Sequence, residues 1–258
     1  MSRRLVIIPT YNEKDNIAAI IRAVAKLSIQ FDVLVIDDGS PDGTAGIVED
    51  MQEHSQSIHL IKRRSKLGLG TAYIRGFEYA LEHGYDYIFE MDADFSHNPT
   101  DLIRLLNACE EEGNDLAIGS RYVKGVNVVN WPLGRVIMSY FAGVYVSFIT
   151  GLPIKDSTAG FKCYHRRVIQ TLNPSRNIKF IGYAFQIEMK FNAWKHGFKL
   201  KEVPIIFTDR AKGQSKMSSG IFLEAFLGVI EMKIRSIFKK YEPVHIVRAV
   251  NFQSNLID

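Results

Sequence analysis

The chain has 258 residues, 47% of them hydrophobic and 23% charged, and its 32 basic side chains against 28 acidic ones leave a formal charge of +4. That size and apolar fraction suffice for one large core or two small ones, and they exclude wholesale disorder, a collagen-type repeat and a long coiled coil. The charge is unevenly placed: residues 1–100 carry a net of −5 and residues 101–258 a net of +9, with +12 concentrated between Arg121 and Lys216. An acidic half joined to a basic half suits a substrate that carries phosphate together with a metal ion.

In chain order, the first apolar run, Leu5–Ile8, predicts a β-strand, and the Met-Ser-Arg-Arg start before it leaves no room for a signal-peptide core, so secretion is not expected. Ile17, Ile20, Ile21, Val24 and Leu27 then recur at three- and four-residue steps and predict a helix after a start signal at Asn12 or Asp15. Val33–Ile36, Ile58–Ile61, Tyr87–Met91 and Leu116–Ile118 predict further strands. Thr44–His54, Gly70–His83 and Pro99–Glu112 predict the helices between them, the last with its proline in the first turn. Strand and helix alternating in this way predict a parallel, doubly wound α/β sheet to about residue 120, with ligands beyond the carboxyl ends of its strands.

Beyond that point Val136–Ile154 is 19 residues without a formal charge, bounded by Arg135 and Lys155. Its glycines, proline and hydroxyl side chains favour a buried or interface-lying segment over a membrane span. A helical period at Phe185–His196, an extended run at Lys199–Phe207 and an amphipathic helix from Ser219 to Tyr241, basic at Lys233, Arg235, Lys239 and Lys240, follow without any linker-like composition. Cys109 and Cys163 have neither zinc-site nor disulfide-framework spacing and are expected as free thiols of a cytosolic chain.

The chemistry-bearing residues gather at predicted strand ends. Pro9-Thr-Tyr-Asn-Glu13 follows the first strand, Asp37-Asp38 the second, and Asp92-Ala-Asp94 the fourth, so Glu13, Asp37, Asp38, Asp92 and Asp94 are expected at one acidic rim. A single Asp-x-Asp is equally at home as strand-end solvation. Five carboxylates together repel one another and point instead to a hard divalent cation plus hydrogen bonds to a base or ribose. His97, three residues after the pair, is the one histidine kept as a candidate neighbour of that site. Arg121, Arg135, Arg210 and Lys216 lie in glycine- and serine-bearing segments and suit phosphate oxygens. Other chemistries lack their motifs: Gly68-Leu-Gly70 runs on to Tyr73 instead of a third glycine, and there is no phosphate loop, Gly-x-Ser-x-Gly elbow or His-Glu-x-x-His helix.

Taken together, Pro9–Glu13, Asp37–Thr44, Gly68–Ala72, Met91–His97, Gly119–Tyr122 and Asp209-Arg210…Gly213–Lys216 resemble, in this order, the family 2 glycosyltransferases, and within them the dolichyl- and polyprenyl-phosphate mannose synthases. The resemblance spans about residues 4–217. It implies a glycosyltransferase A fold, with a single mostly parallel, doubly wound sheet and helices on both faces. Residues 1–120 would be the nucleotide- and metal-binding half, 121–217 the acceptor half and 218–258 an amphipathic helical extension.

Position by position, the resemblance assigns the nucleoside to Pro9, Tyr11, Glu13, Ile36 and Asp38. The diphosphate and a Mg²⁺ or Mn²⁺ ion go to Asp92, Ala93 and Asp94, and donor or acceptor phosphates to Arg121, Arg210 and Lys216. Trp131-Pro132…Arg135…Ser139 resembles the family's acceptor segment, while Phe95 replaces the more usual leucine. The implied activity is inverting transfer of mannose from GDP-mannose to dolichyl or polyprenyl phosphate on the cytoplasmic face of a membrane. A small membrane-anchoring subunit is a further implied partner, and nucleic acid is not one. Transfer of glucose or another sugar from a UDP-sugar, nucleotidyl transfer, an Asp-x-Asp phosphatase and a non-catalytic membrane-binding module are the competing expectations.

Overall fold

The computed structural model describes residues 2–182, 184–209 and 219–241, with the side chains of 219–225 set aside. Its centre is a seven-stranded sheet in the order β3-β2-β1-β4-β7-β5-β8. The five strands expected from the apolar runs are β1 (Arg4–Thr10), β2 (Asp32–Asp37), β3 (Ile58–Lys62), β4 (Tyr87–Glu90) and β5 (Leu116–Ser120). β1 pairs in parallel with β2 on one side and β4 on the other, and β2 with β3.

Alternating side chains build two core layers. Leu5 and Ile7 of β1 and Leu34 and Ile36 of β2 enter one, whereas Val6, Ile8, Val33 and Val35 enter the other. With both faces buried there is no polar face to interrupt the strand, so these segments read as unbroken apolar runs. Helices α1 (Ile17–Ala25), α2 (Thr44–Gln52) and α4 (Asp101–Glu110) cover the second layer, and α3 (Leu69–Glu82), α6 (Arg166–Leu172) and α8 (Ala184–Lys195) the first. The first helix starts from Asn16, not from Asn12 or Asp15. α4 likewise begins at Asp101 after a Thr100 cap, so Pro99 precedes it.

The later half adds what periodicity did not show. β7 (Lys162–His165) inserts antiparallel between β4 and β5. It has only four residues and carries a lysine that is wholly buried, so neither length nor hydropathy marks it. The extended run at 199–207 divides into β8 (Leu200–Pro204), which joins β5 in the main sheet, and β9 (Phe207–Thr208), which pairs with the short β6 (Val128–Val129). A single turn, α7 (Pro174–Asn177), follows α6. Both cysteines are free and buried, with the Cys109 thiol donating to the Cys163 carbonyl at 3.5 Å.

The uncharged stretch becomes α5 (Leu133–Thr150), long and apolar enough to cross a membrane by composition alone, with a mean hydropathy of 1.4 and only 17% of its residues buried. Of the two expected settings, the buried one is therefore excluded. α9 (Ser219–Phe238) packs beside it, with the Tyr145 ring stacked on Phe226 at 4.6 Å and its hydroxyl donating to the Phe226 carbonyl. α5 is pressed onto the body at Gly143, where a Cβ would lie 2.5 Å from the Lys155 carbonyl oxygen. Gly143→Val is expected to lower stability to urea by ~1–3 kcal/mol through this overpacking. Gly134→Ala, in open space on the same helix, should leave it unchanged or raise it by up to ~1 kcal/mol.

Candidate active site

In an open α/β sheet the crevice for a ligand forms where neighbouring strands connect in opposite directions. Here that is the β1–β4 junction, because β2 and β3 lie to one side of β1 and β4 to the other. Pro9–Glu13 leaves the end of β1, Asp38 the end of β2 and Asp92–Asp94 the end of β4. With Lys66, Gly68 and Leu69, the first turns of α5 and Thr158–Gly160 they line a cleft of about 430 Å³.

The acidic wall is smaller than five carboxylates. Asp37 is buried and turned into its own loop, accepting from Thr10 Oγ1 at 3.0 Å, Ser40 N at 2.9 Å and Ser40 Oγ at 2.6 Å. Its work is to tie the β1 and β2 ends together, which leaves Glu13, Asp38, Asp92 and Asp94 facing the cleft. Asp38 is held by Arg63 at 2.5 Å, and Glu13 accepts from the Asn16 amide at 3.0 Å. Lys66 lies over the Tyr11 ring at 5.3 Å, on the same side of the cleft.

The aspartate pair is shaped by its turn. Asp94 accepts from Ser96 N at 3.0 Å, and the intervening Phe95 is held at φ +60°, an uncommon conformation for a bulky side chain and a mark of local strain. His97 lies beneath, buried, its ring stacked on Phe161 at 4.8 Å and its Nδ1 3.5 Å from the Asp92 amide nitrogen. Burial outweighs the pull of the Asp94 charge and pushes its pKa down to about 4. It is thus a neutral support for the turn, with no charge of its own to offer. Among the described residues no third His, Cys, Asp or Glu joins the pair in a protein-only metal cage. Two hard carboxylates fit Mg²⁺ or Mn²⁺, ions that are commonly bound by one or two protein carboxylates and substrate phosphates.

The opposite wall is basic but far from loose. Arg121 is buried and makes a bidentate pair with Asp156, Nε donating at 2.8 Å and Nη2 at 2.6 Å, and reaches Thr158 Oγ1 at 2.7 Å. The rings of Tyr122, Trp131 and Phe207 surround its guanidinium at 5.3–5.6 Å. Burial opposes ionisation of Asp156, yet the charge and hydrogen bonds of Arg121 prevail and hold its carboxyl below the ordinary range.

The Asp156–Gly160 loop is itself fixed from both sides. Glu202 accepts from the Lys155 and Asp156 amides at 3.0 and 2.9 Å, and the wholly buried Lys190 donates to the Ser157 and Ala159 carbonyls at 2.9 and 2.7 Å. Deeper still, Glu90 accepts from Tyr164 at 2.9 Å and Gln186 at 2.8 Å and pairs with Lys162 at 3.0 Å. Gln186 is at once a member of this network and part of the cleft lining. Arg135, at the mouth, pairs with Asp209 at 3.1 Å and lies 4.0 Å over Trp131.

The structure thus brings Pro9, Tyr11, Glu13, Asp38, Asp92, Ala93, Asp94, Arg121, Arg135 and Ser139 to one cleft. Ile36 is in the core layer and away from the lining, and Arg210 and Lys216 lie outside the described residues. Asp156, Thr158, Lys190 and Gln186 escaped sequence reading. Asp156 had one signal: it is among only four acidic residues in the stretch of +12.

Residues 5–172 match the model of glycosyl transferase family 2. The chain is 46% identical over 234 residues to a polyprenol monophosphomannose synthase of Mycolicibacterium smegmatis, spanning 90% of this chain and 88% of that one. It is 42% identical over 227 residues to an undecaprenyl-phosphate mannosyltransferase of Micrococcus luteus, spanning 88% and 92%. Among solved structures, glucosyl-3-phosphoglycerate synthase of Mycobacterium tuberculosis, determined with Mn²⁺, UDP and glucosyl-3-phosphoglycerate, aligns with a TM-score of 0.65 at 16% identity over 90% of this chain and 80% of that one. The fold is that of the glycosyltransferase A enzymes, and the chain belongs to glycosyltransferase family 2.

Removing one member of a buried ion pair strands the other, at ~3–5 kcal/mol. Asp156→Ala should therefore cost about that much in urea unfolding, whereas Arg75→Ala, which breaks an exposed pair with Glu78, should cost under ~1 kcal/mol. Because the folded pKa of Asp156 is depressed, its contribution is full above the unfolded carboxyl pKa of ~3.9 and is lost as pH falls through the folded value. Wild-type stability should accordingly decline more steeply than that of the variant at the acid end.

Proposed function

We propose that this family 2 enzyme is an inverting mannosyltransferase that moves mannose from GDP-mannose onto a polyprenyl phosphate at a membrane surface. One observation carries the reading: a single cleft is lined both by the carboxylates Glu13, Asp38, Asp92 and Asp94 and by the buried Arg121, and its lining continues onto the exposed apolar helix α5 at Met138, Ser139 and Ala142. Near full-length similarity to two proteins named as polyprenyl-phosphate mannosyl-transferring enzymes supports the sugar and the acceptor class.

In this reading Pro9, Tyr11, Glu13 and Asp38 hold the nucleoside, and Asp92, Ala93 and Asp94 meet the diphosphate. Asp92 and Asp94 would hold the divalent ion, which when bound supplies Lewis-acid neutralisation of charge on the leaving diphosphate. Arg121, kept charged and oriented by Asp156, and Arg135 with Ser139 draw the acceptor phosphate to the other side of the sugar. Arg210 and Lys216 are assigned to the same anionic groups by their motif. An acceptor phosphate is already ionised near neutral pH, so its oxygen attacks the anomeric carbon without a general base. The leaving nucleotide departs from the opposite face, through an oxocarbenium-like centre. Of the extension expected at 218–258, α9 packs on this domain, and residues 218 and 242–258 lie outside the described residues.

Purified full-length protein given GDP-mannose, Mg²⁺ and undecaprenyl phosphate in detergent should form a mannosyl phospholipid. Asp92→Ala and Asp94→Ala should each reduce turnover at least ~100-fold, the scale on which single transition-state charge contacts act. Near wild-type turnover in either contradicts the site. GDP with Mn²⁺ should raise the Tm more than UDP with Mn²⁺, and the reverse order would assign a uridine donor.

α5 exposes Phe141 at 61% and Phe148 at 85%, and α9 exposes Ile237 at 70% and Phe238 at 83%. Large apolar side chains clustered on two adjacent helices suit the headgroup–acyl boundary of a bilayer. Phe141→Asp combined with Phe148→Asp should weaken sedimentation with anionic vesicles by more than ~10-fold, since each buried aromatic is worth ~1.5–3 kcal/mol. Unchanged binding contradicts an interfacial α5.

A further inference from the structure

The cleft has a second lip that the membrane reading leaves unexplained. Besides the α5 side chains Met138, Ser139 and Ala142, its lining includes Lys66, Gly68 and Leu69. The loop that carries them exposes Leu67 at 53% and Leu69 at 39%, and the neighbouring Ile181 is 46% exposed. Singly exposed apolar residues are ordinary, but three at one place beside a site mouth are a patch.

This patch is held in shape. Gly70 donates its amide to the Ile181 carbonyl at 2.8 Å, and a Cβ at Gly70 would meet that oxygen at 2.9 Å. Gly68 turns the loop at φ +102°, beyond ordinary L-residue geometry, with the Ile181 side chain within van der Waals reach. The segment that carries Ile181 is also fixed to α9: Phe180, buried next to Ile181, sits where a Cβ on Gly228 of α9 would come within 2.9 Å, and Lys179 pairs with Glu231 of α9. One exposed cation, Arg64, begins the loop. Its neighbours Lys62 and Arg63 are committed to Glu49 and Asp38, and Lys66 lies over Tyr11 in the cleft.

We infer that the loop Arg64–Leu69 together with Ile181 is a second membrane-contact edge, seating Leu67 and Ile181 at the headgroup–acyl boundary and Arg64 against anionic lipid phosphates. Apolar side chains with a flanking cation match an anionic bilayer surface. The inference rests on the membrane reading above and deepens it. With lipid on both lips, an acceptor phosphate rises from the headgroup layer into the cleft, and its prenyl chain stays in the bilayer throughout.

The test uses full-length protein and vesicles of phosphatidylcholine with or without phosphatidylglycerol, free of donor and acceptor. Leu67→Ser with Ile181→Ser should lower the partition coefficient by about tenfold, whereas Leu67→Met with Ile181→Leu should retain it. Arg64→Gln should lower binding about fivefold to the anionic vesicles alone. Both positions are surface-exposed, and an unchanged Tm verifies folding.

With acceptor added, the double serine variant should raise KM for vesicle-embedded undecaprenyl phosphate and leave kcat unchanged toward a short-chain, water-dispersed polyprenyl phosphate. Vesicle binding equal to wild type overturns the inference. So does a rise in KM without loss of vesicle binding, which would place these residues on the acceptor chain and not on the bilayer. A wild-type protein that binds vesicles but transfers no mannose would refute the proposed reaction while leaving this edge standing.

Discussion

In the proposed reaction two anions must meet in one cleft, and their repulsion is the constraint to which the rest of the molecule answers. At contact distance in a partly desolvated site that repulsion is worth several kcal/mol, so each reactant needs its own positive counterpart before the two approach. The acidic strand ends solve one half, because Asp92 and Asp94 offer hard oxygen ligands to a cation at the end of β4. In the same reading Arg121, which reaches the cleft from the later part of the chain, would solve the other half. The −5 of the first hundred residues and the +12 between Arg121 and Lys216 are this division of labour in the sequence.

Holding a guanidinium buried beside a phosphate site requires a compensating charge, and Asp156 supplies it. The pair is bidentate, surrounded by three aromatic rings, and set on a loop whose amides are held by Glu202 and whose carbonyls are held by Lys190. Below it, Glu90, Lys162, Tyr164 and Gln186 form a fully buried polar network across β4, β7 and α8. Such networks are costly unless every member is satisfied, and satisfied ones are rigid. Glu90 is two residues from Asp92, so the same network that supports the basic wall through α8 also anchors the strand that presents Asp92 and Asp94. The two walls therefore share one floor.

Much of this was legible before the structure. β1 to β5 and the helices α1 to α4, α8 and α9 were readable because strands buried on both faces are continuously apolar and helices repeat their apolar residues at three- and four-residue steps. The acidic strand ends were readable because motif and strand boundary coincide. β7 was not, since its Lys162 is buried by pairing with Glu90, and pairing leaves no trace in local periodicity. Asp37 was misplaced on the rim for a related reason: sequence adjacency to Asp38 cannot tell which of two carboxylates turns inward to Thr10 and Ser40. The setting of α5 was undecided by composition, because an uncharged helix reads alike whether protein or lipid covers it. Its 17% burial resolves that in favour of exposure.

The reaction proposed for this cleft is a single displacement, in which acceptor phosphate and leaving diphosphate would occupy opposite faces of the sugar. The stereochemistry of the product tests this most directly. GDP-mannose carries its sugar in the α configuration, so direct attack predicts a β-linked mannosyl phosphate, identified by NMR from the anomeric one-bond carbon–proton coupling. An α-linked product would require a second displacement through a sugar bound to the protein, and would contradict attack by the lipid phosphate across the cleft.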